Sequence, residues 1–132
     1  MILDTHALYW AVAEPRELSR AAARAIERAS ARDEIGIASV TLYELADLFH
    51  RQRLRGRRDG PVAVAVETLR AGARARVFEL TADIAAVAAE FPATFSGDPM
   101  DRIIAATARV LDVPLVTRDR RIQDCPLVRT IW

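Results

Sequence analysis

Two aspartates close short apolar segments, where an unpaired charge costs several kcal/mol unless it is neutralised or bound. Asp4 follows Ile2 and Leu3, and Asp119 ends the segment Leu115-Val-Thr-Arg-Asp119. Each also has an ordinary explanation, because Asp4 can cap a following helix and Asp119 can belong to a strand-to-loop turn. Both are therefore candidates for a site that gathers negative charge, with these structural roles as the alternatives.

Two further acids lie within helical patterns, beside apolar residues. At ~100° per residue, Glu44 falls in the middle of the apolar stripe that contains Val40 and Leu48. Asp101 opens a helix that is apolar on nearly every side, and Asp98 precedes a proline at the start of that helix. Asp98 is well suited to be the N-cap, with Asp101 in the first turn as its helix-start partner. Glu44 and Asp101 are thus site candidates, and Asp98 is an additional one with capping as its alternative.

These acids predict a metal site. Four carboxylates from four separate elements are hard to bury singly, and convergence on a hard divalent cation such as Mg²⁺ or Mn²⁺ resolves the difficulty. We predict that Asp4, Asp101, Asp119 and Glu44 are the ligands, with Asp98 as a possible addition. Thr117 is a candidate hydrogen-bond donor to the ligands, although a β-branched residue is also ordinary in a strand.

Signatures of other catalytic sites are missing from the sequence. It contains no Cys/His zinc spacing, no G-x-S-x-G elbow, no Walker loop and no G-x-G-x-x-G. His6 and His50 are the two histidines, and a histidine beside the first acid is more often a packing residue or hydrogen-bond donor than a base. The carboxylates are therefore the main chemical signal.

A basic run follows the Glu44 helix. All nineteen basic residues of the chain are arginines, and five of them fall between positions 50 and 58. Guanidinium groups bind phosphate bidentately and stack on bases, so we predict that this run contacts nucleic acid. A codon bias is the main explanation for the missing lysines, and a solvated loop is an equally good alternative for the run. The predicted nucleic-acid-binding residues are Arg51, Arg53, Arg55, Arg57 and Arg58.

Composition predicts one folded domain over residues 1–132. About half of the chain is hydrophobic and the formal net charge is +1. The single cysteine, Cys125, excludes an intrachain disulfide and fits a reducing compartment. No apolar run approaches the ~20 residues that span a bilayer, and the first residues are unlike a signal peptide. We expect a cytoplasmic protein without a membrane segment.

Strand patterns alternate with helical patterns, which predicts crossover connections. The expected fold class is α/β, a three-layer α/β/α sandwich with a mainly parallel central sheet. In such sheets ligands bind beyond the carboxyl ends of the strands, where Asp4 and Asp119 stand. The predicted strands cover 1–4, 35–38, 76–80, 115–117 and 128–131; the predicted helices cover 7–12, 20–32, 39–54, 62–73, 83–90 and 98–111.

Four ordered motifs resemble those of PIN-domain proteins, most closely the VapC toxins of bacterial toxin–antitoxin pairs. They read LDTHALYW at 3–10, SVTLYE at 39–44, GDPMDRIIAATA at 97–108 and LVTRD at 115–119. The resemblance covers essentially the whole chain. It implies a PIN-like parallel sheet and an Asp/Glu/Asp/Asp cluster that binds Mg²⁺ or Mn²⁺. Asp4, Glu44, Asp101 and Asp119 match the acids of the family, and Thr117 matches a hydroxyl found near them.

The resemblance also implies single-strand RNA endonuclease activity, a homodimer, and inhibition by a VapB-type antitoxin. Glu44 is the residue that we expect to orient the attacking water. For the antitoxin we predict an apolar groove edge at Leu48 and Phe49. Two alternatives remain at this point: another metal-dependent phosphohydrolase or DNA nuclease, and a non-catalytic PIN module that binds RNA or protein.

Overall fold

Short strands alternate with helices along the chain. The structure, a computed structural model, describes residues 1–54 and 60–132, with side chains for 1–52 and 60–132. The strands are β1 (Ile2–Leu3), β2 (Gly36–Ala38), β3 (Arg76–Phe78), β4 (Leu115–Val116) and β5 (Thr130–Ile131). The helices are α1 (Thr5–Ala13), α2 (Arg20–Ser30), α3 (Ser39–Leu54), α4 (Val62–Gly72), α5 (Ala82–Glu90), α6 (Pro99–Val110) and α7 (Arg120–Gln123), with a 3₁₀ turn at Pro15–Glu17.

The strands of the described residues form one parallel sheet in the order β3-β2-β1-β4-β5. Ile2 of the central β1 is level with Gly36 of β2 on one side and with Leu115 of β4 on the other. The strand order therefore reverses around β1, which opens a crevice at the carboxyl ends of β1 and β4. The predicted α/β fold with a parallel central sheet is confirmed.

Helices cover both faces of the sheet and enclose two apolar cores. Successive strand residues point to opposite faces, so Leu3 packs into one core and Ile2 into the other. Residues of α1, α2, α3 and α4 complete the first core, and residues of α5, α6 and α7 complete the second. These are the three predicted layers.

Contact between β2 and β3 is tight because Gly36 has no side chain. A Cβ atom at this position would lie 2.5 Å from Cε2 of Phe78 and 3.1 Å from Cδ1 of Ile2. Real Cβ contacts are not that short, so any larger residue must displace the Phe78 ring. The glycine is thus a packing requirement of the sheet.

Two expectations were wrong, and one short helix was missed. Helix α1 begins at Thr5 rather than at position 7, because Asp4 already caps it. The short helix α7 was not predicted. Phe49 is 1% exposed and belongs to the first core, so it does not form the edge of an open groove.

In the part of the chain that the structure describes, no helix has the length and apolar character needed to cross a membrane.

Candidate active site

Asp4 and Asp119 lie at the carboxyl edge of the sheet, after the neighbouring strands β1 and β4. Each is also a helix N-cap. Oδ1 of Asp4 accepts a hydrogen bond from the backbone N–H of Ala7 at 2.6 Å, and Oδ1 of Asp119 accepts one from that of Arg121 at 2.8 Å. The capping alternative therefore holds for Asp4, and Asp119 caps α7 in the turn that follows β4. A carboxylate has two oxygens, so a cap of this kind leaves acceptor capacity for a second partner.

Thr117 connects the two aspartates. Its side chain is fully buried, and Oγ1 accepts a hydrogen bond from the backbone N–H of Asp119 at 3.0 Å. The same hydroxyl is a hydrogen-bond partner of the Asp4 carboxylate, to which it donates its proton. Thr117 thus contacts the carboxylate of Asp4 and the backbone of Asp119.

Glu44 and Asp101 reach the same place from two helices. Glu44 is half-buried on α3, and the hydroxyl of Thr5 donates a hydrogen bond to its Oε2. Asp101 stands in the first turn of α6, where Ser96 Oγ donates to its Oδ2 at 2.5 Å. Neither carboxylate is a helix N-cap, although Asp101 does occupy the first-turn position of the helix-start alternative.

Asp98 is the N-cap of α6. Its Oδ1 accepts a hydrogen bond from the backbone N–H of Met100 at 2.8 Å, and Pro99 follows at the first helical position. This agrees with the capping alternative, while the side chain still borders the other acids.

All five predicted carboxylates border one cleft of about 450 Å³, here called the carboxylate cleft. Its lining comes from the end of β1, helices α1, α3 and α6, and the segment after β4. The lining residues are Asp4, Thr5, His6, Trp10, Glu44, Asp98, Asp101, Ile104, Thr117, Arg118, Asp119 and Arg121. A somewhat larger cavity of about 540 Å³ lies around Met1, Ile35 and Pro114, at the opposite edge of the sheet.

Burial and mutual repulsion disfavour the ionised form of three of these acids. Burial is the main cause that raises the pKa of Asp4, of Glu44 and of Asp101 above its ordinary value. Nearby carboxylates raise the pKa of each further, and hydrogen bonds from Thr117, Thr5 and Ser96 act in the opposite direction. A bound cation would relieve this repulsion.

Arg121 supplies positive charge at the edge of the cleft. Its Nη2 lies 2.6 Å from Oδ2 of Asp119 and 3.7 Å from Oδ2 of Asp101. Hydrogen bonding to Arg121 is the main cause that lowers the pKa of Asp119 below its ordinary value. The guanidinium therefore partly neutralises the cluster and competes with any other cation for Asp119.

The donors in the cleft suit a hard divalent cation, because they are carboxylate oxygens backed by hydroxyl groups. Within residues 1–54 and 60–132, however, no three His, Cys, Asp or Glu side chains stand close enough to share one ion. Protein donors engage the carboxylates instead, as the Arg121 contact to Asp119 illustrates. The chemistry of the site fits a metal, and binding one would require carboxylate side chains to reorient.

Sequence reasoning missed three residues of the site. Thr5 and Ser96 donate to Glu44 and Asp101, and Arg121 pairs with Asp119. The signal for Thr5 was its place directly after Asp4. Nothing in the sequence distinguished Ser96 and Arg121 from other serines and arginines.

The structure describes one side chain of the predicted RNA-binding run. Arg51 is exposed, pairs with Asp47 at 2.6 Å, and lines a shallow cavity that also borders Glu44. Arg55, Arg57 and Arg58 lie outside the described residues, as does the side chain of Arg53. Of this run, only the placement of Arg51 can be related to the carboxylate cleft.

Comparison with known proteins shows which family the chain belongs to. The family profile described as PIN domain matches residues 1–126. Ribonuclease VapC22 of Mycobacterium tuberculosis is 39% identical, over all of this chain and 98% of that protein. The chain belongs to the PIN-domain family. Its resemblance to that family and to the VapC proteins within it is confirmed.

Solved structures share the PIN-domain fold described above. VapBC2 from Rickettsia felis, bound to a DNA fragment from its promoter, aligns with a TM-score of 0.70 at 16% identity, covering 98% of this chain and 95% of that one. A toxin–antitoxin complex from Klebsiella pneumoniae aligns with a TM-score of 0.65 at 20% identity, covering 96% and 93%. Because both structures are 20% identical or less to this chain, the matches support its fold alone.

Proposed function

We propose that this PIN-domain chain is a VapC-type endoribonuclease, the toxin of a type II toxin–antitoxin pair, and that it cleaves single-stranded or structured RNA with Mg²⁺ or Mn²⁺. One observation carries the proposal: carboxylates from four separate elements line a single cleft at the carboxyl edge of the sheet. The relative that is 39% identical is named a ribonuclease, which supports the same activity.

In this proposal Asp4, Asp101 and Asp119 hold the divalent ion. When bound, such an ion lowers the pKa of a water molecule and offsets negative charge on the scissile phosphate. Thr117 keeps Asp4 and Asp119 in register through its two hydrogen bonds.

Glu44 orients the attacking water. It reaches the cleft from α3, half-buried and held by Thr5, so its free carboxylate oxygen is fixed in direction. Burial, and to a smaller extent the neighbouring acids, raise the pKa of Glu44, and this favours acceptance of a proton from a water molecule held beside it. Asp98 contributes mainly as the cap of α6 and adds negative charge to the same cleft.

RNA is held outside the cleft by arginines. Arg51 is exposed in the cavity next to Glu44, and the run continues through Arg53, Arg55, Arg57 and Arg58. Contacts of this kind bind backbone phosphates, so they supply affinity rather than sequence choice.

Replacing Arg55, Arg57 and Arg58 together with alanine should flatten the salt dependence of RNA binding, by a slope of about 0.7 for each lost contact on a single strand. An unchanged slope would assign the run to a solvated loop.

A protein partner completes the proposal. The two solved structures described above are a VapBC assembly and a toxin–antitoxin complex, which supports a VapB-type antitoxin as the partner of this chain. The homodimer stays an expectation from the resemblance to VapC toxins. Because its proposed substrate is cellular RNA, the enzyme would act in the cytoplasm.

Expression of the wild-type chain alone should arrest growth, and expression of Glu44→Gln should not. Harmless overexpression of a chain with proven nuclease activity in vitro would contradict the toxin assignment.

The activity is tested with a panel of substrates. Purified wild-type chain is incubated with RNA, single-stranded DNA and a phosphomonoester, each with Mg²⁺ and with EDTA. Glu67→Gln is the matched control for Glu44→Gln, because Glu67 is exposed on α4 and pairs with Arg70. We expect Mg²⁺-dependent cleavage of RNA that Glu44→Gln loses and Glu67→Gln keeps. Preferred hydrolysis of DNA or of the phosphomonoester would replace the proposal with one of the two other activities.

A further inference from the structure

One wall of the carboxylate cleft is aromatic. His6 and Trp10 stand one turn apart on α1 and both line the cleft. Their ring centroids are 5.4 Å apart with planes inclined by 42°. His6 is exposed and Trp10 is half-buried, so the wall presents ring surface to the cleft. The metal chemistry proposed above uses neither ring.

An arginine completes this wall from the other side. Arg118 stands between Thr117 and Asp119, lines the same cleft, and holds its guanidinium carbon 5.7 Å from the centre of the Trp10 ring. Its side chain is 60% exposed, and its ion-pair contact to Glu17 is long, at 3.8 Å. The guanidinium plane is therefore accessible to a ligand.

Trp132 supports the wall from outside the cleft. Its ring centroid lies 5.6 Å from that of Trp10, and it is not among the residues that line the cleft. Packing of this kind restricts the Trp10 side chain, so a ligand on the cleft side meets a surface that is already ordered.

We propose that His6, Trp10 and Arg118 form a base-binding wall that stacks an unpaired RNA base beside the scissile phosphate. The proposal rests on the ribonuclease function above and names the part of the substrate that the cleft recognises. Aromatic rings and guanidinium planes both stack on nucleobases, and every base offers a π-face. The wall therefore selects unpaired nucleotides with little preference for base identity.

The position of the wall decides which nucleotide it binds. His6 is two residues beyond Asp4, and Arg118 directly precedes Asp119, so the wall adjoins two of the proposed ligands. The cleft is otherwise lined largely by carboxylates, which repel a phosphate in the absence of a cation. Stacking of the adjacent base supplies attraction that this charge does not disturb. In a duplex that base is covered by its neighbours, so cleavage should require at least one unpaired nucleotide at the cut.

A mutant cycle, in which each protein variant is combined with intact and with abasic RNA, tests the base-binding wall. The substrate is a single-stranded RNA whose cleavage position has been mapped with the wild type, compared with versions that carry one abasic nucleotide on either side of the cut. The protein variants are His6→Ala and Arg118→Ala, singly and together, because both residues are exposed and their loss leaves the core intact. Arg76→Ala is the matched control, since Arg76 lies over the Phe78 ring at 5.0 Å, at the opposite edge of the sheet.

We expect one abasic position to lower kcat/KM of the wild type by roughly 5- to 150-fold, the range of one base–aromatic stack. The double variant should cleave the intact RNA more slowly and show a smaller abasic penalty, because only Trp10 of the three stacking groups remains. Arg76→Ala should behave as the wild type does. An abasic penalty of equal size in the wild type and in the double variant would overturn the proposal.

Fluorescence gives a second measurement that does not depend on catalysis. In a chain that carries Trp132→Phe, Trp10 is the single tryptophan, and the added Glu44→Gln change prevents cleavage. Intact RNA added with Mg²⁺ should quench the emission of Trp10 in this double variant more than the abasic RNA does. Equal quenching by both RNAs would overturn the wall. The two proposals fail in different ways: a wild type that cleaves no RNA with Mg²⁺ refutes the ribonuclease, whereas active cleavage without coupling in the cycle refutes the wall alone.

Discussion

Asp98 and Asp101 stand three residues apart at the start of α6, yet the structure gives them different surroundings. Asp98 caps the helix through Met100 N–H, whereas Asp101 accepts from Ser96 and is repelled by neighbouring carboxylates. Loss of one N-cap side chain costs about 1 kcal/mol. For a chain of this length that corresponds to a decrease of about 3–5 °C in Tm. Asp98→Ala should show this loss with a modest decrease in cleavage rate, and Asp98→Ser should show little of either because serine also caps.

Asp101→Ser should behave in the opposite way. Burial and repulsion raise the pKa of Asp101, so its ionised form destabilises the metal-free protein at neutral pH. Removing the charge should leave the free energy of unfolding in EDTA unchanged or higher. Cleavage should fall by orders of magnitude, because the substitution removes a proposed metal ligand. Saturating Mg²⁺ should raise the Tm of this variant less than it raises that of the wild type.

Thermal unfolding in EDTA and in Mg²⁺, together with RNA cleavage rates, distinguishes the two residues. Asp98→Asn serves as the control for charge, since asparagine caps as well as aspartate but carries no charge. The reasoning is refuted by the reverse pattern, in which Asp98→Ser is inactive and Asp101→Ser cleaves normally. That result would make Asp98 the ligand and Asp101 a helix-start residue.

Three further predictions follow from contacts in the structure. Arg121→Gln removes the cation that pairs with Asp119, so calorimetry should show tighter Mg²⁺ binding; weaker binding would mean that Arg121 does not compete for the site. Gly36→Ala should lower the free energy of unfolding by about 1–3 kcal/mol through its clash with the Phe78 ring, whereas Gly97→Ala meets no atom within 4 Å and should not; equal urea midpoints would contradict this. In EDTA, Asp101→Asn should be more stable than the wild type at pH 7, and this difference should shrink as the pH falls through the raised pKa of Asp101, because the wild-type carboxyl then also loses its charge. If the stability difference between Asp101→Asn and the wild type grew as the pH fell, this prediction would be contradicted.

Most of the fold followed from local sequence pattern. The parallel sheet could be predicted because short apolar segments alternate with helical patterns, and apolar strand residues such as Leu3 and Ile2 serve one core each. Helix α7 escaped prediction because it spans four residues, too few for a periodic pattern to appear. Phe49 was misplaced because an apolar residue beside a basic run resembles a groove edge until the packing of α3 is known.

The candidate site could be predicted as far as its acids, since a charge in apolar sequence is visible without a structure. Capping and metal binding were offered as alternatives for Asp4, and the structure shows that a cap leaves the side chain in the cleft. The hydrogen bond from Ser96 depends on the path of the loop before α6, and the contact of Arg121 with Asp101 depends on how α6 and α7 approach each other. Such tertiary contacts leave no trace in residue spacing.

The central claim is that the carboxylates act as one metal-dependent unit on RNA. Single-turnover cleavage rates of the wild type, Asp4→Asn, Asp101→Asn and the double variant, all in Mg²⁺, test it most directly. When two residues act in one metal site, replacing either of them already removes most of the cleavage activity. The double variant should therefore be hardly slower than either single variant. EDTA should abolish cleavage by the wild type. Losses that multiply in the double variant, or full wild-type activity in EDTA, would contradict the account.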